Sequence, residues 1–189
     1  MLIVASGGSE ASDALQSLDP KDGTRLWWCR GAGDAASPAY GSGLVYFDSG
    51  RGGLGVAVEA NGRGEVSRSH VRWTVPQVPE GIGSPIIVGE HVYRLHAPDI
   101  LKCWSIEGGK TVRARRLEGI STTWASPIAT PDGRIYFASA GKSYVVRAGP
   151  DVEVLGVNDL GDANHGSPAV AGGKMFLAGT KRLHAIGKK

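Results

Sequence analysis

Four copies of the dipeptide Ser-Pro divide the chain into segments of similar design. The prolines are Pro38, Pro85, Pro127 and Pro168, and successive copies are 47, 42 and 41 residues apart. Each dipeptide precedes a few small or aliphatic residues, a glycine-containing turn and an alternating apolar run. Repeats of this length are typical of arrays in which each unit buries its apolar face against its neighbours. The repeat therefore constrains the fold more strongly than any single residue.

The residues between the repeats indicate β-structure. The chain of 189 residues contains 29 glycines and 10 prolines, which interrupt the sequence too often for long helices. Its apolar runs are short and end at turn residues, such as Gly89-Glu90 and Gly172-Gly173, as expected for hairpins. We predict an all-β protein, a β-propeller built from four-stranded antiparallel blades.

The repeat also predicts how the chain is divided. We expect a single domain over residues 1–189, with about four blades. Their approximate bounds are 1–30 (partial), 31–77, 78–118, 119–160 and 161–189 (partial). If the strands of a blade are named A to D from the axis outward, the first partial blade lacks A and the last lacks D. A half-propeller of this kind must find a partner or close tightly.

Charge and apolar patterning restrict the classes of partner. The net charge is +3 and the basic residues are scattered, so we expect no nucleic-acid partner. No run approaches the roughly 20 apolar residues that span a bilayer, so we expect no membrane span. The opening MLIVASGG has no basic leader and a short apolar stretch, which does not fit a signal peptide. Cys29 and Cys103 are far apart in sequence, and we expect reduced core thiols.

The segment Leu18–Trp27, LDPKDGTRLW, resembles the docking motif of the PQQ-like (quinoprotein-type) β-propeller repeat family. The resemblance implies that Asp19, Gly23 and Trp27 lock neighbouring blades together, and Trp73 is the second copy of the tryptophan. Family members often have eight blades and are commonly exported to the periplasm or cell envelope, but the sequence does not specify the compartment of this chain. The chain resembles the C-terminal half of such a ring.

Two forms of closure are compatible with that resemblance. One is a monomer bent into a tight four-bladed ring. The other is a homodimer in which each chain gives its Thr24–Arg30 strand to the last blade of the other, which completes eight blades. We favour the homodimer because it removes exposed sheet edges.

The resemblance does not extend to the redox cofactor. Quinone-dependent members hold PQQ between a tryptophan and a disulfide of adjacent cysteines, beside a calcium ion. Cys29 and Cys103 are not adjacent. We therefore expect no bound PQQ and no other organic cofactor, although a divalent metal remains a hypothesis.

The candidate site residues lie on the D-to-A and B-to-C loops, which emerge on one face of a propeller around its axis. The candidate ligand-binding residues are Asp34, Arg51, Glu80, Trp124 and Asn164. The candidate catalytic residues are His96, Asp99, Asp162 and His165, and the last three are the metal candidates. Each His–Asp pair is spaced by three residues and offers an imidazole and a carboxylate to one metal ion or water. The alternative is that the aspartates cap turns.

Two functions follow from these residues. The first is a non-catalytic propeller that acts as a binding or scaffold module for a small-molecule or protein ligand that the sequence does not name. The alternative is a metal- or histidine-assisted hydrolase of an ester or phosphoester, with its site at the axial mouth. No nucleophile motif supports the hydrolase.

Overall fold

The chain folds into five consecutive β-sheets, and the predicted all-β propeller class is confirmed. The computed structural model describes residues 1–5, 15–120, 124–139, 141–163 and 166–187. Within these ranges all regular structure is β-strand, and no helix is long and apolar enough to cross a membrane.

The strands follow each other at short intervals. In chain order they are β1 (Leu2–Ala5), β2 (Leu15–Leu18), β3 (Arg25–Cys29), β4 (Ala39–Gly41), β5 (Leu44–Phe47), β6 (Gly53–Glu59), β7 (Gly64–Glu65), β8 (Val71–Val78), β9 (Ile86–Val88), β10 (His91–His96), β11 (Ile100–Ser105), β12 (Thr111–Arg116), β13 (Ile128–Ala129), β14 (Arg134–Ser139), β15 (Lys142–Arg147), β16 (Glu153–Asp159), β17 (Ala169–Ala171), β18 (Lys174–Ala178) and β19 (Leu183–Ile186).

These strands form five sheets in which, apart from the placement of β7, each strand pairs with the next one along the chain. The first sheet has the order β1-β2-β3-β7, the second β4-β5-β6-β8, the third β9 to β12, the fourth β13 to β16 and the fifth β17 to β19. All pairs are antiparallel except β3 with β7, a two-residue parallel pair from the long β6–β8 connection. The three middle sheets are the complete repeats, and β3 remains paired with β2 in the first sheet.

The Ser-Pro dipeptides mark the entry to the innermost strands. Proline is tolerated there because the start of a strand can lack a backbone donor. The serine links successive sheets: the amide of Ser37 donates to Oγ of Ser84 at 3.0 Å, and the amide of Ser84 donates to Oγ of Ser126 at 3.0 Å. The amide of Ser126 in turn donates to Oγ of Ser167 at 2.9 Å. This ladder of hydrogen bonds explains why the serine recurs with the proline.

The hydrophobic core lies between sheets. We number the junctions from the first, between the first and second sheets, to the fourth, between the fourth and fifth. Buried apolar clusters occupy the first three: one around Trp27 and Phe47, one around Tyr46 and Trp104, and one around Tyr93 and Phe137. The fifth sheet buries Leu177 fully. Its Val170, Leu183 and Ile186 are 60%, 65% and 43% exposed.

Candidate functional site

A buried ion pair lies at the second junction, beneath the loops of the axial face. Asp48 directly follows β5, and Arg94 lies on β10 of the next sheet. Nε of Arg94 donates to one carboxylate oxygen of Asp48 at 3.0 Å, and Nη2 donates to the other at 2.8 Å. Both side chains are 1% exposed. This two-pronged geometry is the strongest form of an arginine–carboxylate contact.

The remaining donors of Arg94 hold the β8–β9 loop in place. Nη1 donates to the carbonyl of Gly83, and Nη2 also donates to the carbonyl of Gly81. Gly81 has no room for a side chain, because a Cβ there would overlap the carbonyl oxygen of Leu95. The backbone amide of Gly50 completes the set by donating to Asp48 at 2.8 Å. The pair therefore connects the second and third sheets and the loop between β8 and β9. Both of its buried charged groups have hydrogen-bond partners.

His96 lies beside this pair and is fully buried. Its Nδ1 is 3.1 Å from the carbonyl oxygen of Pro79, so Nδ1 carries the proton and donates. Its Nε2 has no hydrogen-bond partner among the described residues, and the ring packs edge-on against Trp104 with centroids 5.7 Å apart. Burial, assisted by the positive charge of Arg94, lowers the pKa of His96 to about 4. The imidazole is neutral at pH 7.

Asp99 lies in the turn between β10 and β11, three residues after His96. It is 9% exposed and forms an ion pair of 3.5 Å with Arg116 at the end of β12. Burial raises the pKa of Tyr144 on the fourth sheet, and the charges of Glu118 and Asp99 add to that rise. Asp99 is therefore held by an arginine of its own sheet, whereas His96 bonds to Pro79 in the loop after β8.

Asp162 lies at the fourth junction, where its carboxylate binds the β18–β19 loop. It accepts hydrogen bonds from the hydroxyl of Thr180 at 2.8 Å and from the backbone amides of Thr180, Lys181 and Arg182 at 3.0 to 3.2 Å. Nε2 of His184 lies 3.3 Å away. These hydrogen bonds lower the pKa of Asp162 to about 2. The largest contribution comes from the Thr180 hydroxyl, followed by the Lys181 amide, His184 and the Arg182 amide. This carboxylate is ionised and closes a loop.

The other candidates are spread over the axial face. Asp34 and Arg51 form an exposed ion pair of 2.9 Å. Glu80 is exposed, and its carbonyl accepts a hydrogen bond from the Ala97 amide at 2.7 Å. Trp124 is 58% exposed.

Asn164 and His165 lie outside the described residues. His96, Asp99 and Asp162 contact different partners, namely Pro79, Arg116 and the β18–β19 loop, rather than each other. Within the described ranges, no group of three or more His, Cys, Asp or Glu side chains could hold a metal ion.

The docking tryptophans lie between sheets. Trp27 is 1% exposed, and its Nε1 donates to the carbonyl of Ala60 on the second sheet at 3.0 Å. Trp73 is 8% exposed and donates to the carbonyl of Ile106 on the third sheet at 2.8 Å.

Asp19 and Gly23 shape the turn before Trp27. The Gly23 amide donates to the Asp19 carbonyl at 2.8 Å, and the Asp19 carboxylate accepts from the Lys21 amide at 2.9 Å. Gly23 has a φ of 76°, which a residue with a side chain rarely adopts. These two residues therefore form the turn of their own sheet, and the tryptophan makes the contact across the junction.

Asp48 and Arg94 are not among the residues predicted from the sequence, although the repeat carries a signal for the arginine. Arg94 stands ten residues after Ser84, whereas Phe47 and Leu177 stand ten residues after their own repeat serines. A charged residue at a position that is apolar in the other repeats indicates a buried ion pair or a site. Its partner, which comes from a different sheet, is visible only in the structure.

The two cysteines occupy separate junctions. Cys29 belongs to the cluster at the first junction and Cys103 to that at the third. Both are free, and burial raises the pKa of each thiol to about 11. The two thiols lie at different junctions and do not form a disulfide with each other.

Comparison with known proteins gives structural neighbours alone. No family model and no curated protein sequence matches the chain. Among solved structures, BamB from Moraxella catarrhalis is similar with a TM-score of 0.72 and 16% identity, over 98% of this chain and 57% of that chain.

Two further structures are similar over nearly the whole chain. A chain of the Mitotic Checkpoint Complex gives a TM-score of 0.69 at 10% identity, over 93% of this chain and 55% of that chain. The computationally designed Ika8 protein gives a TM-score of 0.65 at 13% identity, over 97% of this chain and 55% of that chain. The chain thus spans little more than half of each neighbour. At these identities the likeness shows the propeller fold and nothing finer.

Proposed function

We propose that this chain is a non-catalytic binding or scaffold module of the β-propeller class, working without PQQ, and that its contact surface is the open face of the fifth sheet. By strand register one side of the sheet carries apolar residues and one lysine: Ala169, Ala171, Lys174, Phe176, Ala178, Leu183 and Ala185.

The observation that carries the proposal is a row of side chains that two sheets have in common. In the second sheet, cross-strand pairing aligns Ala39, Tyr46 and Ala57. Tyr46 is fully buried against the third sheet, in a cluster with Val92 and Trp104. This row is therefore a surface onto which another sheet packs.

The fifth sheet repeats that row as Ala169, Phe176 and Ala185. Phe176 is half-buried, both alanines are exposed and Leu183 on the same face is 65% exposed. The outer strand β19 pairs with β18 on one side, and within the described residues no strand pairs with its other edge. An apolar face beside an unpaired strand edge is a ready site for association.

We propose a second copy of the chain as the occupant. The outward face of the first sheet carries Leu2, which is 49% exposed, and Trp28, over whose ring the guanidinium groups of Arg25 and Arg30 lie at 5.5 and 5.9 Å. A homodimer that joins the first sheet of one chain to the fifth sheet of the other covers both open faces. Exchange of the Arg25–Cys29 strand would first have to break its pairing with β2.

Light scattering at micromolar concentration tests this assembly. We expect a mass twice the 19.7 kDa of one chain. Leu183→Glu should give monomers, because it places a charge in the proposed interface. Val112→Glu is the matched control, since Val112 is also exposed (38%) but lies on the outer strand of the third sheet. A wild-type mass near that of one chain, or a dimer unaffected by Leu183→Glu, contradicts the proposal.

No arrangement among the described residues favours the alternative hydrolase over a binding role. His96 and Asp162 have polar contacts that hold loops, and Asp99 is paired with Arg116.

A further inference from the structure

Each of the first four sheets contains the same irregularity between two antiparallel strands, which are β2 and β3, β6 and β8, β11 and β12, and β15 and β16. The register shifts after Ser17, Ala57, Cys103 and Val145. The residues opposite them are Trp27, Trp73, Arg113 and Gly156. A bulge at one repeated place orients this position in the same way in every sheet. The four sheets therefore share one equivalent position, which holds tryptophan in two sheets, arginine in one and glycine in one.

The tryptophans define what this position does. Each indole reaches the next sheet and donates to the carbonyl of the residue that follows its third strand, Ala60 after β6 and Ile106 after β11. The Trp73 ring also lies 5.6 Å from that of Tyr46, its neighbour in the same cross-strand row. Each ring thereby fills the outer part of a junction.

At the fourth junction the equivalent position holds no side chain. An added Cβ on Gly156 would meet no atom within 4 Å, and its backbone is outside the left-handed region. The row that contains Gly156 also contains Tyr136 and Val145. The residue that corresponds to Ala60 and Ile106 is Gly187, directly after β19.

An open cavity of about 360 Å³ borders two of these groups, Tyr136 and Gly187. Its lining is mainly apolar and is completed by Thr130 of the fourth sheet and by Val170, Gly173, Lys174, Met175 and Ile186 of the fifth. A closed cavity of about 150 Å³ admits a benzene ring, so the volume of this open cavity is sufficient for two fused rings. The cavity borders Gly187, the residue that corresponds to the carbonyl acceptors of the two buried indoles.

We propose that this cavity binds a small ligand with an indole ring. The ring packs against Tyr136, Met175 and Ile186, and its N–H points to the carbonyl of Gly187, as the N–H groups of Trp27 and Trp73 point to Ala60 and Ile106. The ligand supplies the aromatic group that Gly156 lacks.

Calorimetric titration of the whole chain with free indole tests the site. We expect saturable binding of one indole per chain, with about tenfold weaker binding of 1-methylindole, which cannot donate the hydrogen bond. Gly156→Trp should reduce indole binding at least tenfold, because its own ring fills the cavity. Val112→Trp adds the same ring on the exposed outer strand of the third sheet and should leave binding unchanged.

A second variant protects the test against misfolding of the first. Val170→Trp fills the cavity from the opposite wall and should also reduce binding at least tenfold. Wild-type protein that shows no saturable binding of indole at millimolar concentration overturns the proposal, and so does undiminished binding in a folded Gly156→Trp or Val170→Trp variant. Because neither outcome depends on self-association, this site and the proposed homodimer fail independently.

Discussion

The second and fourth junctions share one backbone plan and differ in how side chains fill it. At the second, Trp73, Tyr46 and Trp104 pack together, and the Arg94–Asp48 pair bonds the next sheet to a loop. At the fourth, Gly156 replaces the tryptophan, a cavity remains, and the contact that closes the axial side is the carboxylate of Asp162. The comparison shows that strand pairing is repeated faithfully while the packing between sheets varies.

The largest effect is expected from breaking the buried pair of the second junction. Arg94→Met leaves Asp48 as an uncompensated buried charge, which costs roughly 3 to 5 kcal/mol in the free energy of unfolding. Denaturant unfolding measures this loss.

A double variant separates the cost of a broken pair from the value of an intact one. Arg94→Phe with Asp48→Ala introduces the residue types that the fourth sheet carries as Phe137 and Ala138. It should recover most of the lost stability, because replacing both partners by apolar groups is often neutral. A double variant as unstable as Arg94→Met would mean that the bonds to Gly81 and Gly83, rather than the paired charge, carry the effect.

Removing a docking tryptophan converts a filled junction into an empty one. Trp73→Ala should lower the free energy of unfolding by about 3 to 5 kcal/mol, because the indole is buried and bonded to Ile106. Trp27→Ala should cost a similar amount. Trp28→Ala is the control, since this neighbour is half-buried and contacts the guanidinium groups of Arg25 and Arg30. We expect it to lower the free energy of unfolding by only about 1 kcal/mol. Equal losses in Trp27→Ala and Trp28→Ala would refute the special role of the docking position.

The pH dependence of stability reports on the second junction through His96. Its pKa falls from an ordinary value of 6.5 to about 4 on folding. The unfolded chain therefore binds the proton first, and stability decreases as pH falls from 6.5 toward 4, by roughly 3 kcal/mol. His96→Leu should flatten this part of the profile in urea unfolding. An unchanged slope in that variant would assign the dependence to other groups.

The smallest effect is expected at the fourth junction and should stay local. Asp162→Ala removes the acceptor for the amides of Thr180, Lys181 and Arg182, so hydrogen exchange at these three amides should accelerate. Exchange in the third sheet should not change. Asp162→Asn keeps an acceptor and should be intermediate; acceleration throughout the chain in Asp162→Ala would show that the two junctions are coupled.

The sequence predicted the architecture well because strands depend on local signals. Turn residues such as Gly89-Glu90 and Gly172-Gly173 indicated hairpins, which the structure forms between β9 and β10 and between β17 and β18, and the spacing of the serines and prolines indicated the propeller. Two of the residues at the register-shift position, Trp27 and Trp73, were identified from the sequence. Gly156 was not, because a glycine in a strand does not indicate that equivalent positions hold a tryptophan.

The contacts of the candidate site residues were harder to predict from the sequence. Spacing along the chain placed His96 and Asp99 together, yet in the structure His96 bonds to Pro79 and Asp99 pairs with Arg116. The sequence by itself determined the repeat, the all-β class and the residues at each strand end. The tertiary structure alone decided which of these residues meet, because Asp48 and Arg94 are 46 residues apart and their contact exists only once two sheets have packed.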